Sequence, residues 1–259
     1  DDSEEREQIV SAARSAAAEP REIEAHLLLD PATRCIIGTA RLRFDPGAGA
    51  CSFTLDDCVT LVSVGDAAGV TPMFRRDHRV FLAGRGLRQV IVCFSGRLPD
   101  WDVQEKQLGG RPASSSASDR FLVLQTDCLA FMPGSSLRFT RSRVEVHMPE
   151  RFQCLGTGIR RELPAEPGAR TVVFTDVFCR GFMLACGEFR RLGRLEGELP
   201  VNFYGSPQLD PDCLRKALET GQAAGFFLRR FGRLDVPELN VLLCRAGFHG
   251  GVSSAGCII

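Results

Sequence analysis

The sequence predicts a mainly β protein: a saddle-like antiparallel β-sandwich followed by the first helix and strands of an α/β unit. From Arg21 to about Tyr204, short runs with period-two alternation are broken by clusters of Gly, Pro, Asp and Ser, the texture of half-buried antiparallel strands. Hardly any helical periodicity separates those runs, which argues against alternating β and α elements in this part. After Pro207 the texture changes to apolar residues at helical spacing, then a continuous apolar run and a glycine loop. That order opens a different architecture.

Taken in order, Ser3 to Ala18 is rich in Glu, Arg and Ala, and residues 1–20 are predicted to be a short amphipathic helix or linker closed by Pro20. The β domain is placed at 21–206. Its first hairpin joins Ile23–Leu29 to Cys35–Phe44 through Asp30-Pro31-Ala32-Thr33, residue types suited to a turn. Further strands are predicted at Ser52–Leu55, Leu61–Val64, Arg79–Leu82, Gln89–Phe94, Phe121–Leu124, Ser142–Met148, Arg170–Thr175, Phe182–Cys186 and Pro200–Tyr204. Trp101 to Asp119, with its Gly and Ser clusters, is predicted to be a surface loop.

Residues 207–259 are predicted to start the α/β unit. Asp210 can cap a helix, Pro211 suits its first position, and Leu214, Leu218, Gly221, Gly225 and Leu228 follow at helical spacing up to Gly232. Leu239–Cys244 reads as a buried strand, Arg245–Gly251 as a loop, and Ser254–Ile259 as another strand. The chain begins at Asp1 without a methionine and stops inside an apolar stretch, which predicts a piece of a longer protein.

Composition narrows the function classes. The chain has 259 residues, 44% hydrophobic and 25% charged, which excludes wholesale disorder, collagen and coiled coil. With Lys+Arg 32 and Asp+Glu 32 the net charge is zero, so no global field draws in nucleic acid or an anionic membrane. Only Lys106 and Lys216 are lysines. The arginine-rich segments Arg138–Arg143, Arg160-Arg161, Arg190-Arg191 and Arg229-Arg230 lack interleaved aromatics and are read as solvated surface. No apolar run reaches the ~20 residues of a membrane-spanning helix. The 11 cysteines include no C-x-x-C, so they are read as small core hydrophobes rather than zinc ligands. A disulfide-rich secreted module is the competing reading. The odd cysteine count suits a reducing compartment, whereas the missing methionine permits a cleaved export signal, so a cytoplasmic and a periplasmic or extracellular location both fit.

Catalytic signatures are absent. His26, His78, His147 and His249 are too far apart in sequence for H-E-x-x-H. His26 and His147 fall in strands and are read as structural, and His78 follows Asp77 at a turn expected to be exposed. Gly156-Thr157-Gly158 and Gly84-Arg85-Gly86 each lack the third glycine of a dinucleotide loop. Val252 stands where a nucleophile elbow needs glycine. Asp56-Asp57 and Glu196/Glu198 border turns and are read as solvated charges. No catalytic and no metal-ligating residue is assigned.

The order of segments, more than any single motif, carries a family resemblance. Ile23-Glu24-Ala25-His26-Leu27-Leu28-Leu29-Asp30 with Gly38-Thr39-Ala40-Arg41-Leu42-Arg43-Phe44, Phe131-Met132-Pro133-Gly134, Val144-Glu145-Val146-His147-Met148-Pro149, Cys154-Leu155-Gly156-Thr157-Gly158 and Gly181 to Phe189 occur in that order. Together they resemble the N-terminal part of the gluzincin-type zinc aminopeptidases, the family of aminopeptidase N and leukotriene hydrolase. The resemblance implies a saddle-shaped β domain walling one side of a peptide cleft and docking a thermolysin-like catalytic domain. It places Gly250-Gly251-Val252-Ser253-Ser254-Ala255-Gly256 where the family has its G-x-M-E-N exopeptidase loop.

Gly250, Gly251, Val252, Ser253, Ser254 and the neighbouring His249 are therefore the candidate substrate-binding residues. Ser253 and Ser254 replace the family's Glu and Asn, and a serine supplies no carboxylate to pair with a substrate ammonium. The family's zinc ligands, general-base glutamate and transition-state tyrosine all belong downstream of Ile259. The implied cofactor, zinc, is expected only in that downstream domain, and the implied partner is a peptide reached through it. A non-catalytic β-sandwich binding or scaffold module of the same shape is the alternative.

Overall fold

The computed structural model describes residues 17–46, 50–55, 58–66, 69–71, 73–76, 78–82, 87–100, 115–117, 121–124, 141–175, 182–205, 236–243, 253–254 and 257–258, with positions 215, 219, 226 and 230. In chain order the strands are β1 (Glu22–Asp30), β2 (Cys35–Arg43), β3 (Cys51–Thr54), β4 (Val59–Asp66), β5 (Gly69–Val70), β6 (Met73–Arg76), β7 (Arg79–Leu82), β8 (Gln89–Arg97), β9 (Ser115–Ala117) and β10 (Phe121–Leu124). There follow β11 (Arg141–Pro149), β12 (Gln153–Gly156), β13 (Ile159–Leu163), β14 (Ala169–Thr175), β15 (Leu184–Gly187), β16 (Arg190–Leu195), β17 (Val201–Gly205), β18 (Leu239–Leu243), β19 (Ser253–Ser254) and β20 (Cys257–Ile258). Strands dominate, as the sequence predicts.

They form an eight-stranded sheet in the order β13-β14-β11-β1-β2-β8-β4-β5, a four-stranded sheet β12-β15-β10-β9, a five-stranded sheet β16-β17-β18-β20-β19 and a three-stranded sheet β3-β7-β6. The expected hairpin is present, with Glu22 opposite Arg43 and Asp30 opposite Cys35. Asp30 Oδ1 accepts from the Ala32 amide at 3.1 Å and Asp30 Oδ2 from Thr33 Oγ1 at 2.8 Å. These local bonds satisfy the turn backbone and let Arg34 take a φ of 61°. β1 also pairs in parallel with β11, His26 opposite Glu145 and Leu28 opposite His147.

Alternation decides which face is buried. In β1, Ile23, Ala25, Leu27 and Leu29 turn inward, and from β11 Val144, Val146 and Met148 join them. The same core takes Phe53 from β3, Val80 from β7, and Leu122, Leu124, Cys154, Leu184 and Cys186 from the four-stranded sheet. That smaller sheet is buried on both faces. Its alternate residues Val123, Leu155 and Ala185, with Met183 and Phe189 beside it, pack instead against Leu242 and Cys257 of the five-stranded sheet. A strand covered on both sides reads as an unbroken apolar run, which is why Phe121–Leu124 and Leu184–Gly187 show no polar alternation.

Several local expectations are corrected. Within the predicted Trp101–Asp119 loop, Ser115–Ala117 pairs with β10. Of the Cys154–Gly158 segment that the resemblance rests on, Cys154–Gly156 lies in β12 and the chain turns at Thr157-Gly158, where Gly158 has φ 94°. Arg160-Arg161 and Arg190-Arg191 lie in β13 and β16, and Arg161, Arg190 and Arg191 are exposed, in keeping with the solvated-surface reading. His78 is half-buried rather than exposed. Arg215, Glu219, Phe226 and Arg230 are helical, with an Arg215–Glu219 pair at 3.0 Å one turn apart. The other residues of the predicted helix, residues 1–16 and Phe131–Thr140 lie outside the described residues. Ala18 is extended and bridges to Cys51.

Candidate functional site

The five-stranded sheet holds the positions that the sequence singles out. β17 pairs in parallel with β18, and β18 in parallel with β20, whereas β19 runs antiparallel to β20 with Ser253 opposite Ile258 and Ser254 opposite Cys257. β19 ends the strand order. Ser253 and Ser254 therefore sit in an edge strand whose outer side has no partner strand among the described residues, and such an edge offers backbone donors and acceptors to an extended peptide. His249, Gly250, Gly251 and Val252 lie outside the described residues.

Further into the same sheet, in β17 and β18, is a buried polar pair that the sequence reading missed. Asn202 of β17 and Asn240 of β18 are register partners, each 2% exposed, and Asn202 Nδ2 donates to Asn240 Oδ1 at 3.2 Å. Arg194 Nη1 donates to Asn202 Oδ1 at 3.3 Å and reaches Glu238 at 3.4 Å. Cys257 sits opposite Asn240. Burial pushes its thiol up to about 12, so it stays neutral and packs as an apolar group. An apolar run broken by one asparagine in each of two strands is the signal that could have found the pair.

The outer face of the large sheet carries a second constellation. A groove of about 440 Å³ is lined by Glu22, Glu24, Arg41, Arg43, Arg141 and Arg143 among others. Arg41–Glu24 is 2.8 Å, Arg43–Glu22 2.9 Å, Arg141–Glu22 3.8 Å and Arg143–Glu24 3.9 Å. The charges alternate across neighbouring strands, so this groove is mixed in sign rather than a cationic track. Further along the same face, His26, Glu145 and His147 converge, with ligand atoms all within 4.8 Å of one another. His26 Nδ1 lies 3.7 Å and His147 Nε2 3.2 Å from Glu145 Oε1. Histidines separated by 120 residues gave no sequence signal, because the β1/β11 pairing was not foreseen; the Glu145-Val146-His147 alternation was the visible half.

No family model matches the sequence, and no curated protein does. The shape is more informative. Over 95% of this chain and 60% of the other, it superposes on an M1 zinc metallopeptidase from Deinococcus radiodurans with TM-score 0.69 at 14% identity. The chain has the fold of M1 zinc metallopeptidases. A mutant of that enzyme bound to a Tyr-Ser-Ala substrate matches over 94% of this chain and 60% of its own, with TM-score 0.68 at 15% identity. Aminopeptidase A from Legionella pneumophila, in complex with aspartic acid, matches over 94% of this chain and 31% of its own, with TM-score 0.72 at 13% identity. The chain thus spans about 60% of the length of the Deinococcus radiodurans proteins, and its fold resembles the N-terminal β domain of M1 aminopeptidases.

Proposed function

We propose that this chain is the N-terminal portion of a zinc-aminopeptidase-like protein, its β domain walling one side of a peptide cleft and docking a catalytic-type domain that begins within residues 207–259. The observation that carries the reading is the apolar seam of Val123, Leu155, Met183, Ala185 and Phe189 against Leu242 and Cys257. It joins the antiparallel part of the chain to a sheet with parallel strands and helical positions between them. The edge strand at Ser253-Ser254, at one end of the strand order, is a place where a peptide backbone can add as a further strand.

The zinc named in the relatives finds no donor set in the five-stranded sheet. In β16, β17, β18 and β20 its polar side chains are Arg190, Arg191, Arg194, the mutually bonded Asn202 and Asn240, Tyr204 and the neutral thiol Cys257. They do not fit the ion, and no hydrolytic step is derived for this chain. Assays of aminoacyl and peptide substrates with the 259 residues alone are expected to give no turnover. Turnover that survives replacement of Ser253 and Ser254 by alanine, or any turnover by the isolated chain, overturns the assignment of hydrolysis to residues outside it. The Ser253-Ser254 departure from the family's Glu-Asn favours the scaffold reading, for which the protein continued beyond Ile259 is also inactive.

A further inference from the structure

We propose that His26, Glu145 and His147 form a binding site for a divalent transition ion of the zinc class on the outer face of the large sheet. The three come from two strands whose pairing is fixed over seven register positions, Glu22 opposite Arg141 through Leu28 opposite His147. Glu145 and His147 are two apart on β11, and His26 is the direct partner of Glu145, so the pleat sends all three to one face. Rigid strands rather than loops hold the site.

The geometry accommodates a metal ion. Ligands at about 2.0–2.1 Å from a tetrahedral ion stand roughly 3.4 Å apart. Two of the three edges, 3.7 and 3.2 Å, bracket that separation, and the third lies within 4.8 Å. His26 is about half exposed, with 49% of its side chain accessible. Both imidazoles approach the same oxygen, Oε1, while Arg143 Nη2 holds Oε2 at 3.2 Å. Glu145 is thereby oriented with one oxygen committed to the histidines.

On the far side of the His147 ring, Nδ1 lies 3.0 Å from Thr171 Oγ1, in the neighbouring strand β14, where Thr171 is the register partner of His147. With Nδ1–H donating to that hydroxyl, the Nε2 lone pair faces the site, the orienting hydrogen bond that ligating histidines commonly have. Two imidazoles and one carboxylate select zinc, cobalt, nickel or copper over calcium or magnesium. A bound ion would clip His26 to Glu145, 119 positions along the chain (145 − 26), restricting the unfolded chain as other long-loop clips do.

Co2+ is the probe, because its absorption separates imidazole and carboxylate ligation from thiolate ligation. Titration of the reduced 259-residue chain is expected to saturate at one ion with weak visible bands and no thiolate charge-transfer band, and to raise the melting temperature. His147→Asn and Glu145→Gln are each expected to weaken binding at least tenfold and to abolish the thermal shift. Thr171→Val is expected to weaken it about tenfold while leaving the ligands in place. His26→Asn, at a half-exposed position, keeps the test open if another variant folds poorly. Binding that is absent at millimolar Co2+, unchanged in the His26→Asn/His147→Asn double variant, or accompanied by a thiolate band overturns the proposal.

Discussion

The side-chain amide of Asn202 donates to Asn240 across adjoining parallel strands at a depth where each residue is 2% exposed. Arg194 can only donate, so its bond to Asn202 Oδ1 fixes which way that amide lies and turns Nδ2 toward Asn240. The pair therefore locks the register of β17 against β18: a slip of one residue would bury both amides without partners.

Asn240→Leu is accordingly expected to destabilise the chain by about 2–3 kcal/mol, because it leaves a buried donor unsatisfied. Replacing both asparagines by leucine is expected to cost less than the sum of the two single changes. A double-mutant cycle read by urea denaturation checks this. Additive losses would mean that the two amides do not act as a pair.

Gly38 lies under the ring of Phe94. A Cβ at that position would meet the ring edge and, at 2.9 Å, Leu27 Cδ2, all in a fully formed part of the core. Gly38→Ala is expected to cost about 1–3 kcal/mol as overpacking, and Phe94→Leu in the same chain to recover part of that loss. Thermal unfolding of the two single variants and the double variant decides it. An alanine that leaves the melting temperature unchanged would show that the ring yields freely.

Burial acts on the thiols. Cys51 is pushed up to about 11 and Cys257 to about 12, and Cys154 is also raised, first by burial and then by its neighbour Cys186. A thiol raised in the folded state contributes stability that is complete below its unfolded value of 9.0 and is lost as pH climbs toward the folded value. Stability is therefore expected to fall between pH 9 and about 11 for Cys51, and up to about 12 for Cys257. Cys257→Val is expected to flatten the upper part of that decline. Cys35, Cys51, Cys93, Cys154, Cys186 and Cys257 form no disulfide, and iodoacetamide at pH 8 is expected to spare Cys51, Cys154 and Cys257 until denaturant is added.

What the sequence revealed and what it hid follow one physical line. Strands exposed on one face announced themselves: Glu22–Asp30 and Arg141–Pro149 alternate inward and outward residues along their length. The short strands Met73–Arg76 and Arg190–Leu195 did not, because their residues are mostly half-buried or exposed and the pattern has no contrast. Ser115–Ala117 was hidden by composition. Long-range pairing was the deeper loss. Nothing local says that β1 lies beside β11, so His26 and His147 were each read as isolated strand histidines although their rings approach the same carboxylate oxygen. The edge position of Ser253-Ser254 was reached through family order rather than through any local pattern.

The seam between the four-stranded and five-stranded sheets gives the last prediction. Leu242 is 2% exposed and belongs to the apolar cluster that includes Met183, Ala185 and Phe189. Truncation to alanine is expected to cost about 2–5 kcal/mol as a cavity. Leu242→Asp asks more, since an unpaired carboxylate in that seam either forces the sheets apart or is expelled. If the seam is where one folding unit docks on another, protease is expected to cut the aspartate variant between Gly205 and Val236 while Glu22–Gly187 stays protected, because the large core draws nothing from Leu242. Mass spectrometry of the fragments distinguishes this from global unfolding, in which cleavage spreads through β1 and β11 as well. The second pattern would mean that the seam is part of one cooperative core, and the docking role proposed for it would fall.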